Sequence, residues 1–97
     1  MSTRLRVYGW TAYHIRGVEK AQHNYSFRCF VAAPTKADVL RITGKDSPSR
    51  LFNLHQVKGG PEFTLATSKP SVVFYRLDHV YGDAVPYGEL ADPAAVL

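Results

Sequence analysis

The segment TKADVLRITGKDSPSRLFNLHQVK, residues 35–58, carries two helix signals in succession. Thr35 is a good N-cap, because its hydroxyl can accept from a free backbone N–H of the first turn, and Asp38 three residues on gives a short form of the capping box. Ala37 with Leu40 and Val39 with Ile42 supply apolar pairs at helical spacing. Gly44 then supplies the left-handed residue that ends a helix without steric cost. A second start follows at once. Asp46 or Ser47 can cap, Pro48 suits the first helical position, and Leu51, Leu54 and, as a third candidate, Phe52 form an inward side before Gly59-Gly60 stops the run. Ser49, Arg50, Asn53 and Gln56 fall on the other side of this second helix.

Two short helices joined by a glycine turn, the second with Arg, Asn and Gln outward, resemble a helix-turn-helix, whose second helix lies in the major groove of duplex DNA. Arg suits the guanine edge and Asn or Gln the adenine edge, each through two parallel hydrogen bonds. On this reading Ser49, Arg50, Asn53 and Gln56 face base edges, and Lys36, Arg41, Lys45 and Lys58 contact phosphates. The competing reading is a plain helical hairpin with a solvated polar side. The turn GKDSP is polar where the motif usually places an apolar residue, and it is long for the motif.

The flanking segments read as strands. Arg4–Ile15 alternates and is rich in Val, Tyr, Trp and Ile, and Tyr25–Ala33 alternates in the same way. A hairpin between them is expected, with Arg16–Asn24 as the connection. Pro61–Ser68 predicts a short third helix opened by its proline, and Ser71–Asp78 a third, central strand. The fold expected is therefore α+β: a three-stranded, mainly antiparallel sheet, with the helix-turn-helix-like pair inserted between strands two and three and the helices on one face. Residues 1–80 form the domain, and 81–97, rich in Gly, Pro and Ala, read as an extended or partly disordered tail.

With the helices on one face, the other face carries Arg4, Arg6, Tyr8, Trp10, Arg28 and Phe30. Cations interleaved with exposed aromatic rings resemble a single-strand platform, where bases stack and arginines follow the phosphates. The alternative buries Tyr8, Trp10 and Phe30 under the tail or in a homodimer. Burial is the preferred reading, since an exposed aromatic cluster is costly unless used.

Ninety-seven residues suffice for one domain with a modest core. No apolar run is long enough for a bilayer span, and MSTRLRVYGW has no apolar signal core, so neither membrane insertion nor secretion is expected. A single cysteine, Cys29, excludes an internal disulfide and fits a reducing cytoplasm. The charge is uneven. Residues 1–58 hold ten Lys or Arg against three acids, a balance of +7, and residues 59–97 hold two against five, a balance of −3. A basic segment of this kind favours a polyanionic partner. The four histidines are scattered, no Gly-rich loop has phosphate-cradling spacing and no carboxylate pair stands out. No catalytic residue, metal or cofactor is expected.

Tyr8-Gly9-Trp10, Val31–Val39 (VAAPTKADV), Ser49–Leu54 (SRLFNL) and Val72-Val73-Phe74 resemble parts of small accessory proteins of actinobacterial, mycobacterial-type phages. That resemblance spans scattered positions within residues 8–74 and implies a phage origin and a bacterial host cytoplasm, but no activity. The expectation is a non-enzymatic accessory protein that binds nucleic acid, duplex DNA above all. The alternatives are a module that binds or inhibits a host protein and a minor structural or assembly protein of the phage.

Overall fold

In a computed structural model, which describes residues 5–17, 26–77 and 87–96, the chain folds around a five-stranded antiparallel sheet. The strands are β1 (Arg6–Ala12), β2 (Phe27–Ala33), β3 (Phe52–Val57), β4 (Phe74–Leu77) and β5 (Gly88–Glu89), in spatial order β3-β1-β2-β4-β5. Two α-helices accompany them among the described residues, α1 (Lys36–Thr43) and α2 (Pro61–Ser68), with 3₁₀ turns at Pro48–Arg50 and Pro93–Ala95.

The α+β class holds, but the expected three-stranded sheet is overturned in three respects. The sheet has five strands, with β3 and β5 added at its two edges. The second helix of the supposed pair does not form: Pro48 opens a single 3₁₀ turn, and Phe52–Val57 is a strand paired with β1. Finally, the helices cover both faces. One face packs Tyr8, Trp10, Ala12, Phe27, Cys29 and Val31 under α1, Leu51 and the C-terminal Leu90, Ala95 and Val96. The other packs Val7, Phe30, Ala32 and Phe74 under Phe63, Leu65 and Ala66 of α2.

The β1–β2 register dictates this division. Trp10 pairs with Cys29 and Gly9 with Phe30, so the even residues of β1 share a face with the odd residues of β2. The platform Tyr8–Trp10–Arg28–Phe30 therefore cannot exist. Tyr8 and Trp10 lie on one face and Arg28 and Phe30 on the other, and all three rings are buried. Arg6 is exposed, and Arg4 lies outside the described residues.

Local signals that needed no long-range knowledge appear as expected. Thr35 Oγ1 accepts from Asp38 N at 3.2 Å, and the Thr35 hydroxyl donates to Asp38 Oδ2 at 2.8 Å. Gly44, at φ 71°, closes α1 while Lys45 N donates to Leu40 O at 2.9 Å. α2 starts at Pro61 and spans the expected residues. The C-terminal stretch contributes β5, and Val96 forms a bridge with Ile15. Residues 78–86 lie outside the described residues.

A polar cluster ties α2 to β2 and to the entry of β5. Glu62 Oε2 accepts from Arg28 Nε at 2.5 Å and from Tyr87 Oη at 2.9 Å, while the Arg76 guanidinium lies 4.3 Å from the centre of the Tyr87 ring. Burial pushes the Glu62 carboxyl up, but the hydrogen bonds from Arg28 and Tyr87 and the charges of Arg28 and Arg76 outweigh it, leaving the group below its ordinary value. A carboxylate with a depressed folded pKa stabilises the fold above its unfolded pKa and loses that contribution as pH falls through the folded value. The stability difference between wild type and Glu62→Gln, measured by urea unfolding, is thus expected to be constant above about pH 5 and to shrink steadily below the usual glutamate range. A difference that does not change between neutral and acid pH would contradict the assignment.

Candidate nucleic-acid interface

β3 is an outer strand, paired among the described residues with β1 alone, so one row of its backbone groups faces outward. The chain reaches it through the 3₁₀ turn, and Leu51, only 2% exposed, anchors that entry in the core. The strand is irregular. Thr11 pairs with Phe52 and Gly9 with His55, so three steps along β3 match two along β1. Asn53 absorbs the extra residue at φ 58°, a left-handed conformation that asparagine tolerates better than most residues. His55 Nδ1 donates to Asn53 O at 2.8 Å across this bulge.

Two large rings stand out on the surface here. Tyr13 is 51% and Phe52 58% exposed, and they meet edge to face with centroids 5.6 Å apart. Their position follows from alternation: Thr11, opposite Phe52, points away from the face that buries Trp10 and Ala12. α2 packs on this second face around Val7 and Phe30, toward the other end of β1. The two residues therefore keep about half of their surface in contact with solvent.

Cations sit at both ends of the strand. Arg50 precedes Phe52, and its ion pair among the described residues, Nε to Asp46 Oδ1 at 3.5 Å, joins two exposed side chains and is worth little. At the opposite end, Arg6, Gln56 and Lys58, with Leu5 and Phe63, line a groove of about 500 Å³. Among the described residues neither Arg6 nor Lys58 takes part in a salt bridge.

Of the positions expected to contact nucleic acid, Ser49, Arg50, Asn53, Gln56 and Lys58 are all exposed and follow one another along the turn and β3. They share a sheet edge rather than one side of a helix. Lys36 and Arg41 lie on α1. Lys36 is exposed at its first turn, at the Arg6 end of the sheet, because Ala33 pairs with Arg6. Arg41 is held by Asp38, and Lys45 donates to the Val96 carbonyl, so both have partners within the fold. Sequence reasoning missed Tyr13 and counted Phe52 toward the inward side of a helix, whereas both are exposed. The available signal was the adjacency of Leu51 and Phe52, since two consecutive apolar residues entering a strand point to opposite sides.

The chemistry of the remaining groups is quiet. Cys29 is fully buried, and burial pushes its thiol up to about 12, which favours the protonated form at neutral pH. Among the described residues no three of His, Cys, Asp and Glu converge to hold a metal ion, and no helix is long and apolar enough to cross a membrane. Comparison with protein-family models, with known proteins and with solved structures finds nothing that matches this chain.

The bulge sets the local twist of the edge, and its backbone makes a sharp demand on residue 53. Asn53→Gly is expected to leave stability within about 0.5 kcal/mol of wild type, whereas Asn53→Val should cost about 1–2 kcal/mol in chemical denaturation. Equal tolerance of both substitutions would argue against a left-handed residue at this position.

Proposed function

We propose that this protein is a non-enzymatic binder of single-stranded nucleic acid, which it takes along the outer strand β3. The observation that carries the reading is the exposed Tyr13–Phe52 ring pair on a strand with cations at both ends. Base stacking on aromatic side chains is largely indifferent to sequence, since every base has a flat apolar surface, and it contributes about 1–3 kcal/mol per base. Arg50 lies two residues before Phe52 in the chain, and Arg6 and Lys58 lie five or so residues along the sheet from the rings, about 17 Å away at strand spacing. A short run of nucleotides of that length would follow the outer edge of β3, because the rings share the side of Thr11 while Arg6 and Gln56 share that of Tyr8, with bases on the rings and phosphates toward the cations across the rim. Asn53, His55 and Gln56 offer polar groups between the two ends. The overall charge of +4 favours the encounter.

Single strands are preferred over duplex because the stacking surface requires unstacked bases, and because residues 47–58 provide a single 3₁₀ turn and a strand rather than an α-helix to enter a major groove. The reading places the protein in a bacterial host cytoplasm, in line with its buried free thiol and the phage resemblance. A second reading, a host protein that adds a strand to the same edge, is favoured by the outward backbone row of β3. Capture of a partner from host lysate that survives nuclease treatment separates the two.

The direct test is fluorescence anisotropy with a labelled single strand of roughly ten nucleotides and with the matching duplex. The single strand should bind more tightly at low salt, and its affinity should fall with a log–log salt slope that Lys58→Ala reduces by about 0.7. Phe52→Ala should weaken binding by about 1–3 kcal/mol without unfolding the protein. No binding of the single strand at low salt, or wild-type affinity in Phe52→Ala, would contradict the proposal.

A further inference from the structure

The groove at the end of β3 differs in kind from the ring surface. Arg6, Gln56 and Lys58 bring a guanidinium, an amide and an ammonium to one recess, with Leu5 and Phe63 as its apolar wall. All three polar side chains are exposed, and among the described residues no acid pairs with either cation. Its volume of about 500 Å³ lies in the range of small-ligand pockets and far exceeds what a lone ion needs. The recess also closes one end of the path. β1 begins here, β3 ends here, and Phe63 of α2 stands at the border.

We infer that this recess binds the terminal phosphate of a nucleic-acid strand, so that the protein engages strand ends in preference to internal segments. The inference rests on the single-strand reading given above. An internal phosphodiester carries one negative charge, whereas a terminal phosphomonoester carries about −1.5 to −2 at neutral pH and presents three strong acceptor oxygens. Two cations that no acid among the described residues pairs with, together with an amide donor, match the second better than the first. The arginine fork can engage two oxygens side by side, and the lysine and glutamine can serve the third. Leu5 and Phe63 then face the sugar and base of the last nucleotide. Next to them, the outer edge of β3 leads the rest of the strand across the rim of the sheet toward Phe52 and Tyr13, which lie on the side of Thr11. The second recess, at Gly44, Lys45, Asp46 and Arg50, lacks this character, because it is lined by a carboxylate, Asp46, and its lysine donates to the Val96 carbonyl.

The experiment compares three oligonucleotides of one sequence, with a 5′-phosphate, a 3′-phosphate or neither, each labelled internally, against the wild type, the Arg6→Ala/Lys58→Ala double variant and Phe52→Ala. At least one phosphorylated strand should bind the wild type roughly tenfold more tightly than the unphosphorylated one. The double variant should lose that advantage, while Phe52→Ala should weaken all three strands and keep it. Because Arg6, Lys58 and Phe52 are exposed, circular dichroism should show each variant folded as wild type. Equal binding of the three strands, or a phosphate advantage that persists in the double variant, overturns the inference and leaves the single-strand reading standing. Failure of every strand to bind the wild type overturns both.

Discussion

Everything in this structure depends on β1 pairing on both of its edges at once. Its register with β2 sets which residues face α1 and which face α2, and its register with β3 decides where the sheet ends. Gly9 sits at the centre of this arrangement. A Cβ there would lie 3.1 Å from Val57 Cγ2, 3.3 Å from His55 Cε1 and 3.4 Å from the Cys29 carbonyl, so the bare backbone lets both neighbours close in. A strand held on two sides and covered on both faces must bury nearly all of its side chains. From Val7 to Trp10 every residue is buried.

That constraint pushes the exposed chemistry outward to β3. An inner strand would have hidden Phe52, and a regular outer strand would have kept a single alternation from end to end. The bulge at Asn53 breaks that alternation once, which sends Leu54 to the α1 side and Val57 to the α2 side while leaving Phe52 beside Tyr13. The same geometry separates the charged ends. Antiparallel pairing sets Lys58 next to the start of β1 and Arg50 next to its end, so the cations bracket the rings instead of clustering. A second copy of the chain added antiparallel along this edge would bring Arg50 of one copy toward Lys58 of the other, an arrangement that like charges disfavour. A polyanion meets no such penalty.

The parts of the fold legible in the sequence are those written in local chemistry. The Thr35 cap, the Gly44 stop, the proline start of α2 and the alternation of β1 and β2 all depend on neighbours within a few positions. β3 was not legible because its bulge imitates a helix. Leu51, Leu54 and Val57 recur every three residues, which on a helix forms one stripe, yet Leu51 and Leu54 pack in one core cluster and Val57 in the other. β5, only two residues long, carries too little pattern to read. The faces of the sheet were misassigned for a different reason. Alternation reveals which residues of one strand share a side, but only the register between strands reveals which sides coincide. For the candidate site, exposure of Ser49, Arg50, Asn53, Gln56 and Lys58 was readable from polarity alone. The ring pair was not, because its two members come from segments joined only by the β1–β3 pairing.

The account rests on residues 52–57 forming an outer strand against β1. Nuclear magnetic resonance of the labelled protein tests this most directly, through the backbone chemical shifts of those residues and the cross-strand contacts of their α-protons and amides. Strand-type shifts are predicted, with contacts linking Val57 to Val7, His55 to Gly9 and Phe52 to Thr11. Helical shifts across residues 52–57, with strong sequential amide–amide contacts and none to β1, would contradict the edge, the bulge and the site built on them.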